Sequence, residues 1–374
     1  MKRKNRPGPI LYLLKGIVLL LLINPVSILS QEDFSNSDEQ GGLSFDFKSS
    51  YFIKNNEYFG DFTKGFTGIG YFMQPKLRYD FGNGIYLYTG IHLLQYAGRE
   101  SFNQFIPIFR LSIPFSESIK INAGHIEGTL AHKLSEPMFR FDSWYRDNIE
   151  YGIQILTDFE NWKADLWIDW EQFIEPGDDF KEIFTAGLTS SATLYKRDQL
   201  TLSWPVECLI RHFGGQIDVS PDPVINFINA STGISLKYML KPSTNISIEG
   251  RYYIYGSNDK SLPFKSGSAF YLTSKFSYNH IEAFLGFWQA DGWISAKGES
   301  LFQSVSDFNP MNIEKTRKLL NSKLIYTKSI TEGIHFEIGM ETYFDMINKQ
   351  FDYSSRVIFR ANIFKSLLKI PSDS

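Results

Sequence analysis

The sequence predicts an all-β fold, a transmembrane antiparallel up-and-down β-barrel of about 16 strands, and three observations predict it. The first is period-two alternation: Leu43, Phe45, Phe47, Ser49, Tyr51 and Ile53 share one side of a pleat, with Ser44, Asp46, Lys48 and Ser50 on the other. The same pattern returns at Ile149, Tyr151, Ile153 and Ile155, and at Ile334, Phe336, Ile338 and Met340. The second is the alternation of tight and long connections along the chain. The third is an apolar content spread through alternating segments: aromatics reach 16% while charged residues stay at 21%. Together these features are how a barrel that crosses an outer membrane reads in sequence.

The elements follow in order. Leu43–Ile53 leads over a long loop, Lys54 to Phe66, into Gly68–Phe81. The Gly82-Asn83 turn joins that strand to Gly84–Gln95, and Ala97 to Gln104 leads on to Phe105–Pro114. Phe115 to Glu117 is tight and Ser118–Gly124 follows, before the long loop His125 to Asp147. Asn148–Thr157 and Trp162–Glu171 flank the tight Asp158 to Asn161. Gln172 to Ile183 is long; Phe184–Tyr195 and Gln199–Arg211 flank the tight Lys196 to Asp198. His212 to Thr232 is read as a long loop, followed by Gly233–Leu240, the tight Lys241 to Thr244, and Asn245–Tyr255. After Gly256 to Gly267 come Ser268–Tyr278, the Asn279 corner and His280–Gln289. Ala290 to Leu320 is the longest loop, then Asn321–Lys328, a tight Ser329 to Glu332, Gly333–Phe344, the loop Asp345 to Tyr353, and Ser354–Phe364.

Sixteen strands result, with fourteen as the nearest alternative. The short connections are the periplasmic turns, with standard Asn-Gly, Ser-Glu-Ser and Lys-Arg-Asp turn chemistry, and the long ones are extracellular loops. A sandwich or Greek key gives no reason for loop length to depend on parity. Pro75, Pro107 and Pro205 fall inside strands, where each removes a ladder donor, and are read as candidate bulges.

The ends are read separately. Residues 1–30 form a secretory signal peptide: Lys2, Arg3, Lys4 and Arg6 precede the apolar run Gly16 to Ile23, with small residues near Ser27 and Ser30. Residues 31–42 make a short periplasmic segment, 43–364 the barrel and 365–374 a C-terminal tail. Cys208 is the sole cysteine, so no internal disulfide exists and barrel closure supplies the stability instead. The net charge of −3 leaves no footprint for nucleic acid.

The faces separate on Trp162–Glu171. Trp162, Ala164, Leu166, Ile168 and Trp170 suit lipid, with aromatics at both interfaces. Lys163, Asp165, Trp167, Asp169 and Glu171 are too charged for hydrocarbon, where a mid-plane charge costs roughly 2–4 kcal/mol. They are therefore assigned to the lumen and, with Arg251, Tyr253, Trp144 and Arg146, form the candidate pore-lining or binding set. Both signs of charge occur, which predicts no strong ion selectivity. The aromatic loop His125–Asp147 is the candidate for infolding, to constrict the lumen, line a binding track or cap the barrel.

No catalytic motif emerges: there is no Gly-x-Ser-x-Gly elbow, phosphate loop or dinucleotide fingerprint. The histidines His92, His125, His132, His212, His280 and His335 lack zinc spacing, and the acidic loop Glu171 to Glu182 lacks EF-hand order. No cofactor, metal or enzymatic activity is expected.

On the leader, the dyad strands and the loop parity, residues 31 to 364 resemble a bacterial outer-membrane porin-like β-barrel. That resemblance implies a cell outer membrane location and contact with its lipid and lipopolysaccharide. It also implies insertion by the barrel-assembly machinery and a channel or envelope-transport role for small polar solutes. The class typically ends on an aromatic residue, whereas this chain continues past Phe364. Two other readings stay open: an outer-membrane barrel esterase or phospholipase, which needs a catalytic pair across strands, and a secreted glycan-binding β-protein.

Overall fold

Sixteen strands pair edge to edge, each antiparallel to its sequence neighbours, and β1 closes on β16 in a computed structural model that describes residues 41–309 and 311–369. The leader expected over residues 1–30 lies outside the described residues. The strands are β1 (Gly42–Glu57), β2 (Thr67–Asp80), β3 (Tyr86–Tyr96), β4 (Gln104–Ser116), β5 (Ile119–His125), β6 (Tyr151–Phe159), β7 (Trp162–Gln172) and β8 (Glu182–Arg197). They continue as β9 (Leu200–Gly214), β10 (Ile225–Lys241), β11 (Thr244–Ser257), β12 (Ser266–Tyr278), β13 (Ile281–Asp291), β14 (Thr316–Thr331), β15 (Ile334–Asp345) and β16 (Gln350–Lys369). Closure leaves no unpaired edge, which is what a wall in lipid requires, since unmet backbone donors cannot be hydrated there.

The sixteen-strand reading holds, and two local readings change. The expected loop His212 to Thr232 shrinks to residues 215–224, because β9 runs to Gly214 and β10 begins at Ile225. Asn226, Asn229 and Ser231 broke the apolar rhythm of that segment in sequence, yet Asn229 and Ser231 are buried inside the barrel. Strand β16 likewise runs past Phe364 to Lys369, where Lys369 pairs with Gly42. Pro107 and Pro205 sit in unbroken register with Ile91 and Ser191. The register shifts fall elsewhere, at Trp170/Gln172, Thr193/Tyr195, Met239/Lys241 and Ser329/Thr331 among others, close to strand ends where an extra residue disturbs least pairing.

The two faces are chemically distinct. Leu166, Ile210, Ile248, Leu285 and Leu324 are exposed on the outside, with Trp162, Trp170, Trp204 and Tyr252 among the aromatics of that surface. Outward polar groups satisfy one another: Trp162 Nε1 donates to Ser190 Oγ at 2.7 Å and Trp204 Nε1 to Thr232 Oγ1 at 2.8 Å. Short connections and the first and last strand ends share one rim, which the up-and-down barrel rule makes periplasmic.

The lumen is filled by two of the long connections, residues 126–150 and 292–315. The first carries the one-turn helix Ser143–Arg146 and touches strands all round the wall. Ser135 donates through its N–H and Oγ to Glu207 of β9 at 2.9 and 2.7 Å, and Tyr253 of β11 donates to Ser135 Oγ at 3.1 Å. Glu136 takes Lys323 of β14 at 2.7 Å and Tyr343 of β15 at 2.5 Å, while Asp142 lies 3.4 Å from Lys54 of β1. An apolar cluster of Ile126, Leu134, Met138, Phe139, Trp288, Trp293 and Phe302 packs beneath these bonds. Each fully buried side chain of that size contributes about 1.5–3 kcal/mol, so the insert is held by packing as well as by charge.

His132 is the tightest pin. Its Nδ1 lies 2.7 Å from Asp165 and its Nε2 2.8 Å from Glu150, and its ring stacks on Trp167 at 3.6 Å and 9°. The stack depends on Gly187 of β8, since a Cβ there would sit 2.1 Å from the Trp167 ring. Burial opposes the charged imidazole, but hydrogen bonds to Asp165 and Glu150 and their charges outweigh it and hold the pKa up at about 9. A raised value means that the stabilisation is complete below the unfolded pKa of about 6.5 and is lost as pH climbs through 9. Amide hydrogen exchange over residues 126–150 should therefore accelerate between pH 8 and 10, after correction for intrinsic rates, and His132→Gln should abolish that step.

Candidate functional site at the outer rim

The expected lumenal residues serve mainly to seat the insert. Asp165 and Trp167 hold His132; Asp169 accepts the Tyr151 N–H at 3.0 Å and faces Lys297 at 3.5 Å; Glu171 takes Lys297 at 2.7 Å and Arg211 at 2.6 Å. Arg251 pairs with Glu207 and Glu249, and Tyr253 beside it is fully buried. Trp144 packs 5.1 Å from Phe72 and Arg146 lies 3.8 Å over Phe66, both near the outer mouth of β1–β3. Lys163 stands apart, largely exposed near the periplasmic end beside Asp158 at 2.7 Å. The set thus divides into contacts between wall and insert, with Lys163 outside it.

A different constellation lies on the outward face at the extracellular rim. The registers Trp170↔Phe184, Phe184↔His212 and His212↔Asn226 set four side chains side by side across β7, β8, β9 and β10. His212 has the parity of lipid-facing Ile210, whereas Leu209 and Arg211 face inward. Its ring lies 4.9 Å from Phe184, which in turn lies 5.4 Å from Trp170. Its Nδ1 is 2.7 Å from Asn226 Oδ1. With the amide oxygen in that position it can only accept, so Nδ1 donates to it and, in the neutral ring, Nε2 is the acceptor nitrogen.

Neighbouring groups fix this arrangement. The Asn226 N–H donates to Asn258 Oδ1 at 2.7 Å, and Asn258 Nδ2 donates to the Val224 carbonyl at 3.0 Å, which ties down the start of β10. Gly214, two residues beyond His212 on the same face, leaves the space the imidazole occupies: a Cβ there would lie 2.1 Å from Nε2. Beside the ring opens a cleft of about 480 Å³, walled by Phe173, Ile174, Ile217 and Val224, with Glu182 and Gln216 as its other polar side chains. Polar groups convergent on an apolar cleft are the general form of a ligand site.

None of the other histidines stands in such a place. His92, His125 and His132 are buried within the barrel, while His280 and His335 sit at the periplasmic ends of β13 and β15. Sequence reading missed His212 because it was placed in a loop, and because a pair on neighbouring strands is joined by register and not by a contiguous motif.

The closed barrel, its apolar outer surface and its two rims define an outer-membrane β-barrel protein, located in the cell outer membrane. The sequence model of the family described as Lipid A 3'-O-deacylase-type matches residues 35–370, and the chain belongs to that family. This overturns the expectation of a non-enzymatic barrel, because the family is one of enzymes. The absence of a contiguous catalytic motif was weak ground for that expectation, since a barrel assembles its groups across strands. No curated protein sequence matches.

Solved structures resemble the chain in fold. The loop L8 deletion mutant of OmpT from Vibrio cholerae superposes with a TM-score of 0.52 at 10% identity, covering 86% of this chain and 100% of that one. OprD from Pseudomonas aeruginosa gives 0.51 at 9%, covering 88% and 96%. OccK2 (OpdF) from the same organism, solved with glucuronate, gives 0.51 at 10%, covering 89% and 100%. At such identities these likenesses speak for the barrel alone.

Proposed function

We propose that this protein is an outer-membrane ester hydrolase that removes an acyl chain from lipid A, with His212 as general base. The single observation that carries this reading is the position of His212. It faces outward at the extracellular rim of the wall, with Nε2 making no hydrogen bond among the described residues and an apolar cleft at its side. A substrate that never leaves the bilayer must be met on this surface, not in the lumen.

The chemistry follows from the groups present. An acyl chain enters between Phe173, Ile174, Ile217 and Val224, where burial favours it at about 0.8 kcal/mol per methylene. His212 Nε2 takes a proton from water as that water attacks the ester carbonyl, and returns it to the departing alkoxide. Asn226 keeps the imidazole in the tautomer that can do this. Gln216 offers the cleft a neutral donor toward the developing oxyanion.

The test is direct. Purified protein folded into lipid with lipopolysaccharide should release free fatty acid, and lipid A should lose the mass of one acyl group. Unchanged lipid A after prolonged incubation with wild-type protein would reject the reading. Gly214→Ala should leave the folded barrel intact on unboiled gels while pushing the ring off its position, lowering the rate roughly tenfold or more.

Passage of small polar solutes is the second reading, supported by the sixteen-strand girth and the charged lumenal wall. Against it stand the two connections that fill the lumen, with Trp288, Trp293, Phe302 and Met138 fully buried there. Single-channel steps from wild-type protein in planar bilayers would restore it.

A further inference from the structure

We propose that the two connections walling the cleft, residues 173–181 and 215–224, form one clamp whose apolar edge is immersed in the outer leaflet, so that the cleft is loaded from the bilayer. The proposal rests on the deacylase reading for its enzymatic consequence, though not for the position of the clamp.

The two connections are fastened to each other. The Gly177 N–H donates to the Ile217 carbonyl at 3.0 Å and the Val219 N–H to the Asp178 carbonyl at 2.8 Å, a short ladder between loops. Lys181 Nζ lies 2.7 Å from Asp218 Oδ1, and the Asp218 side chain is 2% exposed. Ser220 N–H donates to the same oxygen at 3.1 Å. An ion pair with a backbone donor gives the pair of loops one geometry where free loops would have many.

Such a braced element has no structural need for apolar side chains on its outside, yet it carries several. Phe173 is 70% exposed and Val219 68%, with Ile217, Val224 and Phe180 between 41% and 49%. Scattered exposed apolar residues are ordinary, but a contiguous group marks a contact surface. The occupant is set by continuity. Phe173 follows Trp170 at the end of β7, and Val224 directly precedes β10, so the patch adjoins the lipid-facing surface at both flanks of the cleft, with the polar row Glu182, His212 and Asn226 between them. Of the three acids of the first loop, Glu175 and Asp179 are exposed and Asp178 is half-buried. Exposed apolar groups with acids beside them suit an element that lies at the interface, its apolar side in lipid and its charges at headgroup level.

The consequence is dependence on an interface: the cleft accepts an acyl chain sideways from the leaflet, and monomeric esters in water reach His212 without help from the clamp. The position is tested on the full chain with Cys208→Ser and Val219→Cys, labelled at residue 219 with an environment-sensitive fluorophore and folded into phosphatidylcholine vesicles. Quenching by lipid bearing a doxyl group near the headgroup, with protection from aqueous iodide, is the expected result. Quenching by iodide with none by the doxyl lipid would overturn the proposal whether or not the protein is an enzyme. The consequence is read with Phe180→Ser combined with Val219→Ser, neither of which lines the cleft. Cleavage of lipid A in vesicles should fall about tenfold while a water-soluble short-chain ester is cleaved as before. An equal fall on both substrates, with the barrel still heat-modifiable, would also overturn it. Wild-type protein that cleaves neither substrate, yet shows the doxyl quenching, would reject the deacylase reading and leave the clamp standing.

Discussion

His212→Ala should lower the rate of acyl release from lipid A by about 10²–10⁴-fold, the range that a positioned general base supplies. The loss should appear in kcat, since the apolar walls that bind the acyl chain are untouched, and heat-modifiable mobility on gels should not change. The outward position makes this a clean substitution: the ring packs on Phe184 and bonds Asn226, and no lumenal contact is lost. Asn226→Ala should give a smaller loss of the same kind, because it frees the ring to flip and to exchange tautomers. A His212→Ala protein as active as wild type would remove the proposed site, and the search would move to another patch of wall.

The largest effect on stability is expected at Glu341→Gln. This carboxylate of β15 is 5% exposed and gathers three cations: Arg356 of β16 bonds it directly, Lys54 of β1 lies 3.5 Å away and Lys323 of β14 3.9 Å. Tyr343 adds a hydroxyl at 3.2 Å. Its neutral isostere keeps the volume and removes the charge, so buried cations lose their shared partner. Breaking a buried pair from one side costs about 3–5 kcal/mol, far more than the 0–1 kcal/mol of a surface pair. The measurement is the urea midpoint of the transition from folded to heat-unfolded gel mobility in detergent. A midpoint unchanged from wild type would show that the remaining acids Glu136, Glu337 and Asp142 suffice to hold these cations.

Much of this fold could be read from residues alone, and the reason is geometric. A strand in lipid must alternate, and each turn at the periplasmic rim needs few residues, so both constraints are written locally in Trp162–Glu171 or Gly82-Asn83. The segment Ile225–Thr232 was misread because Asn229 and Ser231 within it face a lumen filled with protein. Asn229 donates to the Ile294 carbonyl at 2.7 Å, a partner sixty-five residues away that no local pattern reports. The candidate site was illegible for a related reason: His212 and Asn226 meet by register between strands, and Glu182 and Gln216 reach the same cleft from other segments.

The sequence by itself determined the wall: sixteen alternating strands, a charged inner face and an apolar outer one, because the bilayer imposes those rules on every residue that crosses it. Only the tertiary structure decided what the wall encloses and where it can act. Residues 126–150 fold inward because Glu207, Lys323, Tyr343 and Lys54 on four different strands offer partners that water would otherwise have to solvate. His212 turns outward because the pleat leaves it no other side, and the register of β9 with β10 sets Asn226 beside it.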